Sequence, residues 1–202
     1  MHIINIMKQD KTYQLLRPIF TFIFKTYFNP TYIGRENLLE EGAFVIAGNH
    51  KHALDPIFVD SSNKRTIFTL AKSELHEGPF AFLFKAVGTI PVDLNAKNNP
   101  KALKSAIDRL NEGYIINVSP EAERNYTNEI LLPFKKGAVK MAREVNCPII
   151  PYCIVGDYKF HSKNLKIVIG EPLNLNDLEV DKANEVLFNT IKKMLLENKW
   201  KK

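Results

Sequence analysis

Apolar residues along this chain follow two rhythms. Short unbroken runs bounded by Gly, Pro, Asn or Asp fall at residues 44–47, 66–70, 89–92, 114–118, 149–154 and 165–169. Runs of that length, rich in Ile, Val and Phe, predict buried strands. Between several of them apolar positions recur every three or four residues, the period of a helix. Residues 100–112 are the clearest case. Leu103, Ala106, Ile107 and Leu110 make one stripe, Pro100 suits a first helical turn, and Gly113 can close the helix in a left-handed conformation. Further helices are predicted over 136–145 and near the C-terminus, where Leu187, Ile191, Met194 and Leu195 form the buried side. Strand and helix alternate, so the expectation is an α/β domain with a central, mostly parallel (mixed) sheet flanked by helices. Residues 95–100, rich in Asn and ending in Pro, predict a surface loop.

The N-terminal part breaks this rhythm. Residues 15–28 are apolar and aromatic, with Phe20, Phe22, Phe24, Tyr27 and Phe28, but Arg17 and Lys25 interrupt them. The stretch falls short of the roughly 20 residues needed to span a bilayer. With Pro18 at its first turn it predicts a short aromatic helix that either lies in a membrane interface or packs on the domain. The expected division is an interfacial helical segment over 1–29 and a folded domain over 30–202.

Composition narrows the class. Over 202 residues, 45% are apolar, enough for a real core. Cys147 and Cys153 each sit in an apolar stretch and predict reduced core thiols rather than a disulfide framework. The start of the chain lacks the pattern of a cleaved secretion signal, so a cytoplasmic location is expected. A net charge of +6 favours anionic partners, including anionic lipid and phosphorylated small molecules. Zinc-finger spacing and RNA-recognition signatures are missing, so nucleic acid is not an expected partner.

Chemistry concentrates in Ala47-Gly-Asn-His-Lys-His-Ala-Leu-Asp-Pro56, which follows the 44–47 run directly. An imidazole held by a carboxylate through one ring nitrogen has the other free to act as a base. The motif carries no nucleophile, so the hydroxyl to be activated belongs to an incoming molecule. His50 and Asp55, five apart, would lie about 140° apart on a regular helix and need an irregular turn to meet. His52 and Asp55, three apart, would be helical neighbours. The sequence leaves open which histidine the acid serves. His50, His52 and Asp55 also look like part of a metal-dependent hydrolase's ligand set, but the acid and histidine that His-x-His-x-Asp-His requires are missing at Leu54 and Asp55.

Three later segments add to the first. Ala71-Lys-Ser-Glu-Leu75 precedes Gly78-Pro79 and Gly88-Thr-Ile-Pro-Val-Asp93, then come Ser119-Pro-Glu-Ala-Glu-Arg124 and Ile149-Ile-Pro151. With Asn49-His50 and Asp55 they resemble the four ordered motif blocks of the glycerolipid acyltransferase family, which includes bacterial 1-acylglycerol-3-phosphate acyltransferases. The likeness spans residues 32–172, and the order of four blocks is far more specific than any one of them.

That resemblance implies a glycerol-3-phosphate acyltransferase-like fold. It also implies transfer of an acyl chain from a thioester, acyl-CoA or an acyl-carrier protein, to a hydroxyl of a lysophospholipid acceptor in phospholipid biosynthesis. His50 is then the general base and Asp55 its orienting partner. Asn49, Lys72, Pro120, Glu121 and Arg124 fall at the substrate, with the Arg124 guanidinium suited to phosphate oxygens. Lys72 reads equally as an ordinary surface lysine. The implied enzyme needs no metal and no cofactor and works peripherally at the inner face of the cell membrane. Three positions depart from the pattern: Leu94 replaces an arginine, and Ala122 and Glu123 replace Gly-Thr. They leave room for a different acceptor, or for a lipid-surface binding protein of the same fold without turnover.

Overall fold

The computed structural model describes residues 2–96 and 98–198. Seven strands form one sheet: β1 (Thr31–Ile33), β2 (Phe44–Gly48), β3 (Ile67–Lys72), β4 (Ile90–Val92), β5 (Ile115–Val118), β6 (Ile149–Val155) and β7 (Lys166–Ile169). Their spatial order is β1-β7-β6-β2-β5-β3-β4. Every neighbouring pair is parallel except β6 and β7. The expected mostly parallel, mixed sheet is therefore found. The central strands β2, β5 and β6 are buried along their whole lengths, as a sheet covered on both faces requires of near-continuous apolar runs.

Alternation along the strands builds two cores. Val45, Ala47, Ile116 and Cys153 face α4 (Pro100–Asn111), α5 (Gly137–Val145) and α6 (Val180–Glu197). Phe44, Ile46, Ile115, Tyr152 and Ile154 face α1 (His2–Phe28) and α2 (Asp55–Ser62), through Phe24, Phe58 and Val59. A short α3 (Ala81–Ala86) lies in the connection from β3 to β4. Gly113 does take the left-handed conformation expected after α4, at φ 82°. Residues 95, 96, 98 and 99 lie in the loop ahead of α4, braced where Asn99 bonds the backbone of Asp93 through both amide atoms, whereas Pro100 already belongs to the helix and Lys97 lies outside the described residues.

The N-terminal helix differs from expectation in length. It runs from His2, so Pro18 lies inside it rather than at its first turn. Proline there removes one backbone bond to the carbonyl four residues earlier. Tertiary anchors just ahead of Pro18 fix the helix on the domain. The buried Tyr13 hydroxyl accepts the Ile67 N–H at 3.2 Å, and Arg17 donates to the carbonyl oxygens of Asp60 and Lys64 at the end of α2.

Candidate active site

In a parallel sheet of this kind ligands bind beyond the carboxyl ends of the strands, and the conspicuous motif begins there, one residue after β2. The chain must leave β2 tightly because Tyr152, fully buried on β6, lies against Gly48; a Cβ at Gly48 would fall 2.3 Å from the tyrosine ring. Asn49 then locks two strand ends together. Its side-chain NH₂ donates to the Ile154 carbonyl at 3.0 Å and its side-chain oxygen accepts the Ile154 N–H at 2.7 Å.

From Asn49 to Leu54 the backbone is irregular, and this turn brings His50 onto Asp55, the first residue of α2. The His50 Nδ1 to Asp55 Oδ2 distance is 2.9 Å. The same oxygen accepts the N–H groups of Lys51 at 2.6 Å and His52 at 2.8 Å. The His50 side chain keeps 23% exposure while that of Asp55 keeps 2%. An ionised carboxylate only accepts hydrogen bonds, so Nδ1 carries the proton and Nε2 holds the lone pair. Asp55 thus serves His50. His52 has other duties: its Nδ1 accepts the Leu54 N–H at 3.2 Å and its ring stacks on Tyr158 at 4.3 Å. Among the described residues no group of three or more His, Cys, Asp or Glu is placed to hold a metal ion, so the alternative ligand set of His50, His52 and Asp55 does not assemble.

The turn after β5 closes over the dyad. Glu121, buried, accepts the His50 N–H at 2.8 Å on Oε1 and the Leu132 N–H at 2.7 Å on Oε2. Burial pushes its carboxyl above the usual range, and those two amides partly offset this. The Asn125 N–H returns to the His50 carbonyl at 3.2 Å, so the turn grips His50 from both sides. Pro120 is buried, its carbonyl taking the Lys135 N–H at 2.8 Å. Arg124 is exposed, with its guanidinium 5.4 Å from the Tyr126 ring. Lys72 sits at the same end of the sheet, at the end of β3, and its Nζ lies 3.1 Å from Glu74. The structure therefore brings Asn49, His50, Asp55, Pro120 and Glu121 into one connected unit with Arg124 one residue from it, whereas the Lys72 ammonium pairs with Glu74 in the turn that follows β3.

Sequence reasoning missed Tyr158. Its hydroxyl donates to Asp55 Oδ1 at 2.5 Å. Burial, then the adjacent Asp55 charge, raise the phenol far above its ordinary value, so it is protonated and a donor at any working pH. It stands 103 residues from its partner, and the only local signal is the tight Gly156-Asp157 turn before it. Gly156 is left-handed at φ 87°, and a Cβ there would meet the Asn164 carbonyl oxygen at 2.0 Å. Burial likewise raises the two thiols, Cys147 to about 11 and Cys153 to about 12, which keeps them protonated in the core.

A partly exposed imidazole held on a buried carboxylate is an arrangement able to take the proton from a hydroxyl brought in by another molecule. Residues 29–155 match the model of the family described as Acyltransferase, and the chain belongs to that family. It is 31% identical over 149 residues to the 1-acyl-sn-glycerol-3-phosphate acyltransferase of Bacillus subtilis, an alignment that covers 71% of this chain and 73% of that protein. To the protein of the same name from Saccharomyces cerevisiae it is 31% identical, with 76% of this chain and 54% of the relative covered. The fold superposes on the crystal structure of the 1-acyl-sn-glycerophosphate acyltransferase PlsC from Thermotoga maritima with a TM-score of 0.74, at 22% identity, over 94% of this chain and 81% of that one.

Proposed function

We propose that this protein transfers an acyl chain from a thioester donor to the free hydroxyl of 1-acylglycerol-3-phosphate. His50 Nε2 takes the hydroxyl proton as the oxygen attacks the thioester carbonyl, and Asp55 steadies the imidazolium that forms. The tetrahedral oxyanion collapses, the carbon–sulfur bond breaks, and the proton on His50 passes to the departing thiolate. The observation that carries this reading is the 2.9 Å contact between His50 Nδ1 and a buried Asp55. The names of the relatives support the acceptor.

Cations near the dyad fit the acceptor phosphate. Arg124 is one. Where the family pattern has an arginine this chain has Leu94, yet the Lys135 Nζ reaches the Leu94 carbonyl at 3.3 Å and returns positive charge to that position. The donor is acyl-CoA or acyl-carrier protein. The protein works on the inner face of the cell membrane, lying on it through α1. Leu15, Ile19, Phe22 and Ile23 share the outward side of that helix and are all exposed, opposite the buried Tyr13 and Phe24. No helix among the described residues is long and apolar enough to cross a bilayer.

Thiol release from acyl-CoA and from acyl-carrier protein, each with a panel of lysophospholipids, tests both substrates. His50→Ala is expected to lower turnover about 10²–10⁴-fold in a folded protein. Turnover near wild type in that variant, or release with no acceptor in the panel, would defeat the reading.

A further inference from the structure

We infer that Tyr158 is a positioning residue for acyl transfer, and that α1 sets the dyad's geometry through it; this rests on His50 being the base. The Asp55 carboxylate must present one oxygen squarely to the His50 ring. Oδ2 is fixed by two backbone amides as well as by that ring. Among the described residues, Oδ1 is held by the Tyr158 hydroxyl. Without it the carboxylate can swing about its Cβ–Cγ bond to find another donor for Oδ1, and Oδ2 turns with it. Reacting groups displaced by as little as about 1 Å can lose about 10²-fold in rate.

Tyr158 in turn is placed by helices that never touch the substrate hydroxyl in this reading. Its ring lies edge-on to Phe28 of α1 at 5.6 Å, to Phe24 of α1 at 6.3 Å and to Phe58 of α2 at 6.3 Å. On its other side it stacks with His52 of the catalytic turn. The loop that carries it is hung from the end of α1, since the N–H groups of His161 and Ser162 donate to the carbonyls of Tyr27 and Phe28 at 2.8 and 2.9 Å. A tilt of α1 on the sheet would therefore move the tyrosine, and the tyrosine would move the acid. The same helix carries the outward apolar stripe on its opposite side, so seating at a lipid surface and the alignment of the dyad share one rigid element.

The experiment compares Tyr158→Phe and Phe24→Ala with wild type on water-soluble short-chain substrates, so that vesicle binding plays no part. Tyr158→Phe keeps the ring and all its packing. It is expected to lower kcat about 10–100-fold while both KM values stay within about twofold of wild type, and to shift or broaden the downfield proton resonance of His50 Nδ1–H. Phe24→Ala is expected to act in the same direction, through the loss of its ring contact with Tyr158. A kcat within about twofold of wild type in folded Tyr158→Phe, or a loss confined to KM, overturns the inference. Should Tyr158→Phe fail to fold, fluorotyrosines placed at position 158 keep every contact and strengthen the donor stepwise. A kcat that moves with phenol acidity then supports the role, and one that stays level overturns it. His50→Ala run beside these separates the two readings: an inactive His50→Ala with a normal Tyr158→Phe sinks only the tyrosine's role, whereas an active His50→Ala sinks the base itself.

Discussion

Ala122 sits at φ 65° in the turn that grips His50. A left-handed backbone costs a residue with a Cβ about 1–2 kcal/mol, and the family pattern has glycine at that place. Ala122→Gly is expected to stabilise the fold by about 1 kcal/mol net of the extra freedom glycine gives the unfolded chain, read as a higher urea midpoint. A lower midpoint would mean that the alanine methyl makes a contact worth more than the strain. At this scale the sequence was half informative. It placed His50 and Asp55 in one motif but could not choose between the two histidines, because the answer lies in an irregular turn that no helical or strand period encodes. Tyr158 was out of reach for a different reason: a phenol 103 positions away from its carboxylate leaves no mark on the local pattern. Asn49 and Glu121 were expected at the substrate. The structure has their polar atoms engaged with backbone groups of Ile154, His50 and Leu132, an arrangement that suits bracing the turn.

Arg17 of α1 and Asp60 of α2 meet where the two helices pack, each largely but not fully buried. Arg17 Nε lies 3.4 Å from Asp60 Oδ2, and Asp60 Oδ1 is buried without a hydrogen-bond partner. Burial pushes the Asp60 carboxyl up to about 8, against an ordinary value of 3.8. The unfolded chain therefore gives up this proton first as pH rises, so stability from the protonated Asp60 is full below about pH 4 and drains away as pH climbs toward and past 8. The slope cannot exceed about 1.4 kcal/mol per pH unit, and the Arg17 charge makes it shallower. Asp60→Asn removes the titration. Its stability relative to wild type is expected to grow between pH 4 and 8, and a difference that is flat or shrinks over that range would show the aspartate to be ionised in the fold. Elements themselves were largely legible. All six predicted strands are present within about two residues of their expected ends, because strands buried on both faces are written as unbroken apolar runs. The three-residue edge strand β1 and the eight-residue α2, with its Asp55-Pro56 opening and Ser61-Ser62 close, carry too few apolar positions to establish a period.

Considered whole, the molecule exposes large apolar side chains on α1 and around α3, apart from the strand ends that carry His50 and Asp55. Leu15 and Phe22 on α1 keep 74% and 70% exposure, and Phe80 and Phe82 before and in α3 keep 65% and 70%. Apolar exposure of this extent on a basic protein is what an anionic lipid surface accommodates. Replacing Phe22 and Ile23 together with aspartate is expected to abolish sedimentation with anionic vesicles while leaving the melting temperature within a few degrees of wild type, since neither side chain is in the core. Unchanged sedimentation would move the docking face elsewhere.

The dyad is stitched by bonds that reach far along the chain: His50 to Glu121 across 71 positions, Asp55 to Tyr158 across 103 and Asn49 to Ile154 across 105. Long-range closures form late in folding because the intervening chain must first give up its freedom. A nascent chain released from the ribosome as far as β5 therefore carries the histidine and the acid but has neither the Glu121 turn nor the Tyr158 phenol in place. The bonds that hold His50, Asp55 and Asn49 in register are therefore complete only when the last third of the polypeptide has emerged.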